Sequence, residues 1–239
     1  MASPAISKLP TVGFELSKTY AIGDVHGCLD QLQRLVELCE RDAGEGRSKL
    51  VLLGDYIDRG PDSRGVIEFL MDLQKWSPDE IICLRGNHED LLLAALEGED
   101  AQLKWRQNGA QATLDSYKAK TPRDIPLKYI DWIRSLPLFH DDGMRFFVHA
   151  GVHPDKPLDL QRRRDLLWIR EPFLSSDKNF GRLIVHGHTP ISTGTPDHRT
   201  NRLNIDTGAV YGRALTSAIF SGGMTAPVGF LSTSPIGDR

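Results

Sequence analysis

Cysteine is scarce in this 239-residue chain, and no long stretch of it is continuously apolar. The three cysteines, Cys28, Cys39 and Cys83, follow neither CxxC spacing nor a paired pattern, which excludes a disulfide framework and a thiolate zinc site. We expect reduced, buried thiols in the cytoplasm. No apolar run has the length of a signal peptide or a membrane span, so we expect no association with a membrane.

An excess of basic residues is also absent. The chain has 29 Lys and Arg against 32 Asp and Glu, a formal net charge of -3. Such a balance gives no electrostatic attraction to nucleic acid or to anionic lipid. We therefore expect neither as a partner, and the composition favours a monomer.

Short apolar runs alternate with helical periodicity along much of the chain. Helical spacing from Leu29 to Cys39, and from Val66 to Met71 after an Asp62 or Ser63 cap, follows the first two runs. Runs of this length and composition are typical of buried strands, so the pattern predicts an α/β fold. The seven predicted strands are 19–22, 49–53, 80–84, 145–148, 182–185, 202–205 and 214–220.

We expect a single domain over 1–239, with a core from about 18 to 220, because neither a repeat nor a long linker is present. Residues 89–140 show helical periods broken by Gly and Pro, which predicts a helical insertion. The tail, 221–239, is rich in Gly, Ser, Thr and Pro and is predicted to be flexible, with 228–231 as a candidate edge strand.

Six of the predicted strands run directly into a short polar cluster. The carboxyl ends of parallel strands line one edge of an open sheet, where ligands bind, so these distant clusters are expected to converge. The clusters are GDVHG (23–27), GDYIDRG (54–60), RGNHE (85–89), HAG (149–151), HGHT (186–189) and DTG (206–208).

The side chains of these clusters are typical of a metal site that binds phosphate. Five of the eight histidines lie in them, together with carboxylate and amide oxygens. Such donors suit Mn²⁺, Fe, Zn²⁺ or Co²⁺. Arg59, Arg85 and Arg170 add fork-shaped donors that can bind a phosphate through two hydrogen bonds.

GDVHG, GDYIDRG, RGNHE, HAG and GHT, in this order, resemble the signature of the phosphoprotein phosphatase family of calcineurin-like metallophosphoesterases, especially its bacterial and phage-type serine/threonine protein phosphatases. The resemblance implies a sandwich of two mixed β-sheets flanked by helices. It implies two divalent ions, for which we expect Mn²⁺, with Fe, Zn or Co as alternatives. The implied ligands are Asp24, His26 and Asp55 for the first ion, and Asp55, Asn87, His149 and His188 for the second.

The resemblance also implies the catalytic roles. A hydroxide that bridges the two ions would attack phosphorus in line. His88, oriented by Asp58, would protonate the leaving oxygen, and Arg59 and Arg170 would hold the phosphoryl oxygens.

Four other polar features have simpler interpretations. Arg85 is as well explained by a salt bridge to Glu89 or Asp58 as by substrate contact, and Glu89 is expected to support the ligands rather than bind an ion. His186 is excluded from the ligands because it lies two residues before His188. The extra ligand of the wider superfamily lies two residues after the position that His188 occupies. The arginines 162–164 are typical of a solvated face, although they could steer an acidic phosphopeptide.

The leading functional hypothesis is hydrolysis of phosphate monoesters on a phosphorylated protein or peptide. The alternative is symmetrical hydrolysis of diadenosine tetraphosphate, which would require a base pocket and a polyphosphate track formed by the insertion. A non-catalytic, partner-binding scaffold is disfavoured because every implied ligand and His88 are present.

Overall fold

The computed structural model describes residues 18–233 and contains two five-stranded mixed sheets. The first has the order β10-β9-β1-β2-β3, in which β1, β2 and β3 are parallel, β9 pairs antiparallel with β1, and β10 pairs antiparallel with β9. Its strands are β1 (Lys18–Ile22), β2 (Ser48–Leu52), β3 (Ile81–Cys83), β9 (Thr216–Ser221) and β10 (Gly229–Ser232).

The second sheet has the order β4-β5-β6-β8-β7. Its three central strands are parallel, and each outer strand pairs antiparallel with its neighbour. Its strands are β4 (Phe139–Asp141), β5 (Arg145–Val148), β6 (Leu183–His186), β7 (Asp197–His198) and β8 (Arg202–Asn204).

The two sheets pack face to face through alternate strand residues. Ala21, Val51 and Phe220 of the first sheet share a buried cluster with Phe147 and Val185 of the second. Successive side chains of a strand point to opposite faces, so the remaining strand residues face outward against helices. The predicted sandwich of two mixed sheets with helices outside is therefore confirmed.

Helices cover both outer faces of the sandwich. Helix α2 begins as predicted, with Asp62 accepting a hydrogen bond of 2.8 Å from the Gly65 N–H. The helices are α1 (Leu29–Ala43), α2 (Ser63–Trp76), α3 (Asn87–Ala95), α4 (Glu99–Gln107), α5 (Ala110–Tyr117), α6 (Leu127–Ser135) and α7 (Arg163–Trp168). None of those within residues 18–233 is both long and apolar enough to cross a bilayer.

Helices α3 to α6 occupy the segment predicted as an insertion, although α3 starts at Asn87, inside the RGNHE cluster. All seven predicted strands are present, and β10 lies at the candidate edge strand. Thus 229–232, within the tail predicted to be flexible, form a paired strand, while 234–239 lie outside the described residues.

Candidate metal centre

The polar clusters meet at one edge of the sandwich, because each begins where a strand ends. Backbone hydrogen bonds hold the first two together: the His26 N–H donates to the Asp55 carbonyl at 2.8 Å, and the Gly27 N–H donates to the Tyr56 carbonyl at 2.8 Å. The clusters after β5 and β6 are joined in the same way, through the Gly187 N–H and the His149 carbonyl at 2.8 Å. Residues far apart in sequence therefore form one site.

The backbone of this edge is unusually strained. Of the six non-glycine residues with positive φ in 18–233, five belong to the clusters, and such conformations persist where the surrounding structure enforces them, often at functional sites. The five are His26, Asp55, Asp58, Arg59 and His188.

Two glycines allow the clusters to approach one another closely. A Cβ at Gly86 would lie 2.2 Å from Asp55 Oδ1, and a Cβ at Gly187 would lie 2.0 Å from Asp24 Oδ1. Neither distance is sterically possible, so both positions require glycine if the carboxylates are to stay where they are.

The Asp55 carboxylate lies at the centre of the site, with its two oxygens facing different histidines. His26 Nε2 is 3.4 Å from Oδ2, and His149 Nε2 is 3.4 Å from Oδ1. Two groups of potential metal ligands share this residue: one comprises His26, Asp55 and His88, and the other comprises Asp55, His149 and His188. This arrangement fits a carboxylate that bridges two ions.

Hydrogen bonds to backbone carbonyls set the tautomers of two of the histidines. His149 Nδ1 lies 2.9 Å from the Leu53 carbonyl and His26 Nδ1 lies 2.7 Å from the Ile57 carbonyl. A carbonyl only accepts hydrogen bonds, so each Nδ1 carries the proton and each Nε2 presents a lone pair to the site. Metal-binding histidines are commonly oriented in this way.

The second group also contains Asn87, as the sequence predicts. Its Oδ1 is 2.8 Å from His149 Nε2 and 2.7 Å from His188 Nδ1. The Nε2 lone pair and the amide oxygen are both acceptors, and ligands about 2.1 Å from one cation lie at about this separation from each other. The donor set and its geometry therefore fit a divalent cation.

Burial and neighbouring charges keep these ligands in their metal-binding protonation states. Burial lowers the pKa of His26 and of His188 to about 3, and it also lowers the pKa of His149. Burial opposes ionisation of Asp55, but His149 and His88 outweigh it and hold the pKa of that carboxyl below its usual range. At neutral pH the protein therefore offers neutral imidazoles and a charged carboxylate.

Asp24, a predicted ligand of the first ion, lies outside both groups. Its carboxylate accepts the His188 N–H at 3.2 Å and 3.1 Å, and burial, together with Asp206 and Asp55, raises its pKa.

Asp206 is a buried site residue for which the sequence predicted no role. Burial and the charge of Asp55 raise the pKa of Asp206 to about 7. The sequence feature that could have identified Asp206 is its position in DTG, which directly follows a predicted strand as the other clusters do.

His88 and Asp58 form the hydrogen-bonded pair that the sequence predicts. His88 Nδ1 is 2.7 Å from Asp58 Oδ2, and Nε2 lies 3.9 Å from Asp55 Oδ2 with no hydrogen-bond partner among the described residues. Burial alone would lower the pKa of His88, but Asp55 and Asp58 outweigh it and raise that pKa. Although His88 belongs geometrically to the first ligand group, its free Nε2 also suits a proton donor.

The two predicted phosphate-binding arginines are placed differently. Arg59 Nη1 is 2.7 Å from His26 Nε2, so its guanidinium reaches into the site and contacts a predicted ligand. Arg170 is exposed at the rim, close enough for its charge to lower the pKa of His188 further after burial and His149 have done so. Both positions are consistent with contact to a substrate anion.

Three other polar residues do not bind at the centre directly. The buried Glu89 carboxylate accepts backbone N–H groups of the Asp55 loop, while Arg85 donates to the Arg134 carbonyl rather than pairing with Glu89 or Asp58. His186 packs against Phe173, with ring centroids 5.0 Å apart, and belongs to neither ligand group.

A pocket of about 370 Å³ adjoins the metal centre. It lies beside the His188 ring, because Trp168, which lines it, contacts that ring edge-on with centroids 6.0 Å apart. Two of the arginines predicted as a solvated face therefore line a pocket. Its lining residues are Asp90, Lys104, Arg163, Arg164 and Trp168.

Comparison with known proteins agrees with this geometry. The family model described as calcineurin-like phosphoesterase matches residues 17–222. A symmetrical bis(5'-nucleosyl)-tetraphosphatase from Dechloromonas aromatica strain RCB is 37% identical, over 75% of this chain and 67% of the relative. Serine/threonine-protein phosphatase 1 from Salmonella typhimurium strain LT2 is 30% identical, over 83% of this chain and 90% of the relative.

A likeness in fold extends to a solved structure that is provisionally named a diadenosine tetraphosphatase. It superposes with a TM-score of 0.68 at 24% identity, covering 96% of this chain and 97% of that one. The matched residues contain all six polar clusters and both groups of metal ligands. The chain therefore belongs to the calcineurin-like phosphoesterase family and is a metal-dependent phosphoester hydrolase.

Proposed function

We propose that this chain hydrolyses dinucleoside polyphosphates at a centre of two divalent ions, for which we propose Mn²⁺. The observation that carries the proposal is the pocket beside the metal centre, which combines three cationic side chains with the half-buried indole of Trp168. The pocket favours the dinucleotide over the phosphoprotein, the reverse of the order expected from the sequence, because a track for additional phosphates is the feature that a nucleotide enzyme requires.

The pocket is suited to a chain of phosphates. A phosphate monoester places one dianion over the ions, whereas the remaining phosphates of a polyphosphate need further cations along the surface. Lys104, Arg163 and Arg164 provide them, and arginine binds phosphate oxygens with two parallel hydrogen bonds. Arg163 also pairs with Asp90, which orients its guanidinium at the pocket wall.

The same pocket offers an aromatic surface for a base. The Trp168 indole is half-buried between His188 and Lys104, whose Nζ lies 5.3 Å from the ring centroid. A nucleobase stacked on an aromatic side chain gains about 1–3 kcal/mol without sequence-specific contacts. The name of the Dechloromonas aromatica relative points to the same substrate class.

The chain's own residues account for substrate orientation and proton transfer. When bound, two divalent cations would neutralise phosphoryl charge and activate the attacking water. Arg59 and Arg170 would hold the phosphoryl oxygens, and His88, held by Asp58, would donate its Nε2 proton to the leaving phosphate oxygen as the P–O bond breaks. Cleavage at the middle of a tetraphosphate would yield two nucleoside diphosphates.

Phosphoprotein hydrolysis is the second candidate. The Salmonella typhimurium relative matches over 90% of its own length, and a basic pocket beside the ions would also suit acidic residues flanking a phosphoserine or phosphothreonine. A phosphorylated protein or peptide thus remains the alternative substrate.

The test is turnover of the Mn²⁺-loaded protein on diadenosine tetraphosphate, on a panel of phosphoserine and phosphothreonine peptides, and on 4-nitrophenyl phosphate. We expect kcat/KM to be highest for the dinucleotide, with two ADP as products, and the His88→Asn variant to exclude a contaminating phosphatase. A higher kcat/KM for phosphopeptides would replace the proposal with the second candidate.

The pocket has a matched pair of variants within one arginine run. Arg164→Gln removes a lining cation and should raise KM for the dinucleotide about 10-fold, a loss typical of one charged phosphate contact, with little change on 4-nitrophenyl phosphate. Arg162→Gln, an exposed neighbour that does not line the pocket, should leave both substrates unchanged. Equal KM effects of the two variants would contradict the assigned pocket.

A further inference from the structure

The carboxylate of Asp58 is held from two sides by the helical insertion. It is fully buried, and its Oδ2 accepts hydrogen bonds from both His88 Nδ1 at 2.7 Å and Trp105 Nε1 at 2.8 Å. Its Oδ1 accepts from Thr113 Oγ1 at 2.6 Å. Trp105 lies on α4 and Thr113 on α5, so two consecutive helices of the insertion converge on this one carboxylate.

The backbone of the same residue is fixed by the insertion as well. Asp58 has a φ of 71°, and its N–H donates to Thr113 Oγ1 at 2.9 Å and to Ser63 Oγ at 3.1 Å. The next residue, Arg59, donates its N–H to the Gly109 carbonyl, between α4 and α5, at 3.1 Å. The strained loop therefore depends for its conformation on α5, on the turn between α4 and α5, and on Ser63 at the start of α2.

We propose that Trp105 and Thr113 are positioning residues for proton transfer by His88. With only His88 as a partner, the Asp58 carboxylate could rotate about its terminal bond and swing the imidazole with it. The indole N–H and the threonine hydroxyl fix both oxygens, and so fix the direction in which His88 Nε2 points.

The indole is required for its N–H as well as for its volume. Trp105 and Thr113 are fully buried, and neither is among the metal-ligand groups or the residues lining the adjacent pocket. A buried ring needed only for packing could equally be a phenylalanine. The insertion thereby contributes to the chemical step without contact to substrate.

The experiment compares leaving groups that differ in their need for a proton. Phenyl phosphate expels a basic phenolate that general acid catalysis assists, whereas 4-nitrophenyl phosphate expels a stable anion that needs little assistance. We expect Trp105→Phe to lower kcat for phenyl phosphate about 10- to 100-fold, to lower kcat for 4-nitrophenyl phosphate less than about 3-fold, and to leave both KM values unchanged.

The chain offers a matched control in the same insertion. Trp132 on α6 donates its indole N–H to Gln74 Oε1 at 2.7 Å, away from Asp58, so Trp132→Phe should keep the wild-type ratio of the two kcat values. At the second position, Thr113→Val should change the ratio of the two kcat values as Trp105→Phe does. Thr113→Ser keeps the hydroxyl and should show the wild-type ratio. These threonine variants keep the test decisive if Trp105→Phe fails to fold.

The positioning proposal rests on the proposed function only for the role of His88 as proton donor. Its failure can therefore be distinguished from failure of the proposed substrate. A changed ratio of the two kcat values in a protein that does not turn over the dinucleotide would support the positioning role of Trp105 and Thr113. The same result would contradict the dinucleotide as substrate. Equal losses on both aryl phosphates, or none on either, would show that Trp105 and Thr113 serve only packing. If neither aryl phosphate is turned over, the His88 Nδ1 to Asp58 Oδ2 distance decides: the proposal predicts that a crystal structure of Thr113→Val shows it lengthened, and an unchanged distance overturns it.

Discussion

Glu89 shapes the loop that carries the central carboxylate, although it is not itself placed to bind an ion. Its Oε2 accepts the N–H groups of Asp55 at 2.9 Å and Gly86 at 2.8 Å, and its Oε1 accepts those of Tyr56 at 2.8 Å and Ile57 at 3.3 Å. A carboxylate is acceptor-only, so it can satisfy all four donors at once. Burial and the charge of Asp55 raise the pKa of Glu89 to about 7, so the ionised form that accepts all four hydrogen bonds predominates above that pH.

Glu89→Gln should therefore disrupt this loop despite its similar shape. The amide NH₂ would face N–H donors, and hydrogen bonds to a buried charged group contribute about 1.5–3 kcal/mol each. We expect the free energy of unfolding in EDTA to fall by about 2–4 kcal/mol, measured by urea titration, and Mn²⁺ affinity to fall at least about 10-fold. Glu97→Gln, at an exposed position two residues beyond α3, is the control and should change neither quantity. An unchanged stability in Glu89→Gln would contradict this role.

His186 provides a test of acid sensitivity at one residue. Burial lowers its pKa to about 3, while in the unfolded chain the value is near 6.5. Below pH 6.5 the unfolded state binds a proton that the folded state does not, so stability is lost as the pH falls from 6.5 towards 3.

His186→Leu removes this proton uptake. Between pH 7.5 and 5.0, wild-type stability should fall by about 2 kcal/mol more than that of the variant, because each pH unit below 6.5 costs at most about 1.4 kcal/mol. Urea unfolding in EDTA at the two pH values measures the difference. Parallel losses in the two proteins would show that His186 is protonated in the folded state.

At the scale of the elements, the sequence predicted the buried strands well because continuous apolar runs ended in polar clusters. It missed β4 and β7, which are only three and two residues long and contain charged side chains, so they lack any apolar pattern. The strand-end rule also located every cluster of the site, since the position of a loop after a parallel strand follows from the sheet itself.

The contacts of the insertion could not be predicted in this way. Trp105 and Thr113 are 47 and 55 residues from Asp58 in sequence, and only the packing of α4 and α5 brings them together. Trp105 packs in the core, but nothing in the sequence indicates its hydrogen bond to Asp58. Likewise, Arg163 and Arg164 line a pocket because α7 lies beside α3, an arrangement that the sequence does not indicate.

The β6 loop requires glycine for steric reasons that can be tested. A Cβ at Gly187 would overlap Asp24 Oδ1, so Gly187→Ala should displace either Asp24 or His188 and lower Mn²⁺ affinity at least about 10-fold. Gly98→Ala is a matched control, because a Cβ there meets nothing within 4 Å. Isothermal titration measures both. Equal affinities would mean that the loop relaxes without moving a ligand.

At the scale of the whole molecule, the metal centre joins the two sheets. Asp55, Asn87 and His88 follow strands of the first sheet, whereas His149 and His188 follow strands of the second. The second group of ligands therefore draws on both sheets, and Asp55 belongs to both groups. Cation binding and the packing of the sandwich are consequently expected to be coupled.

The number of ions that the chain needs for turnover is the decisive quantity. We expect Mn²⁺ titration of the metal-free protein, followed by metal analysis and 4-nitrophenyl phosphate turnover, to give two ions per chain, with activity appearing only as the second binds. Asp55→Asn should lose the second ion and at least about 100-fold of kcat, while an exposed control, Asp100→Asn, should match wild type. Full activity with a single ion, or turnover that persists in EDTA, would contradict a two-ion centre bridged by Asp55.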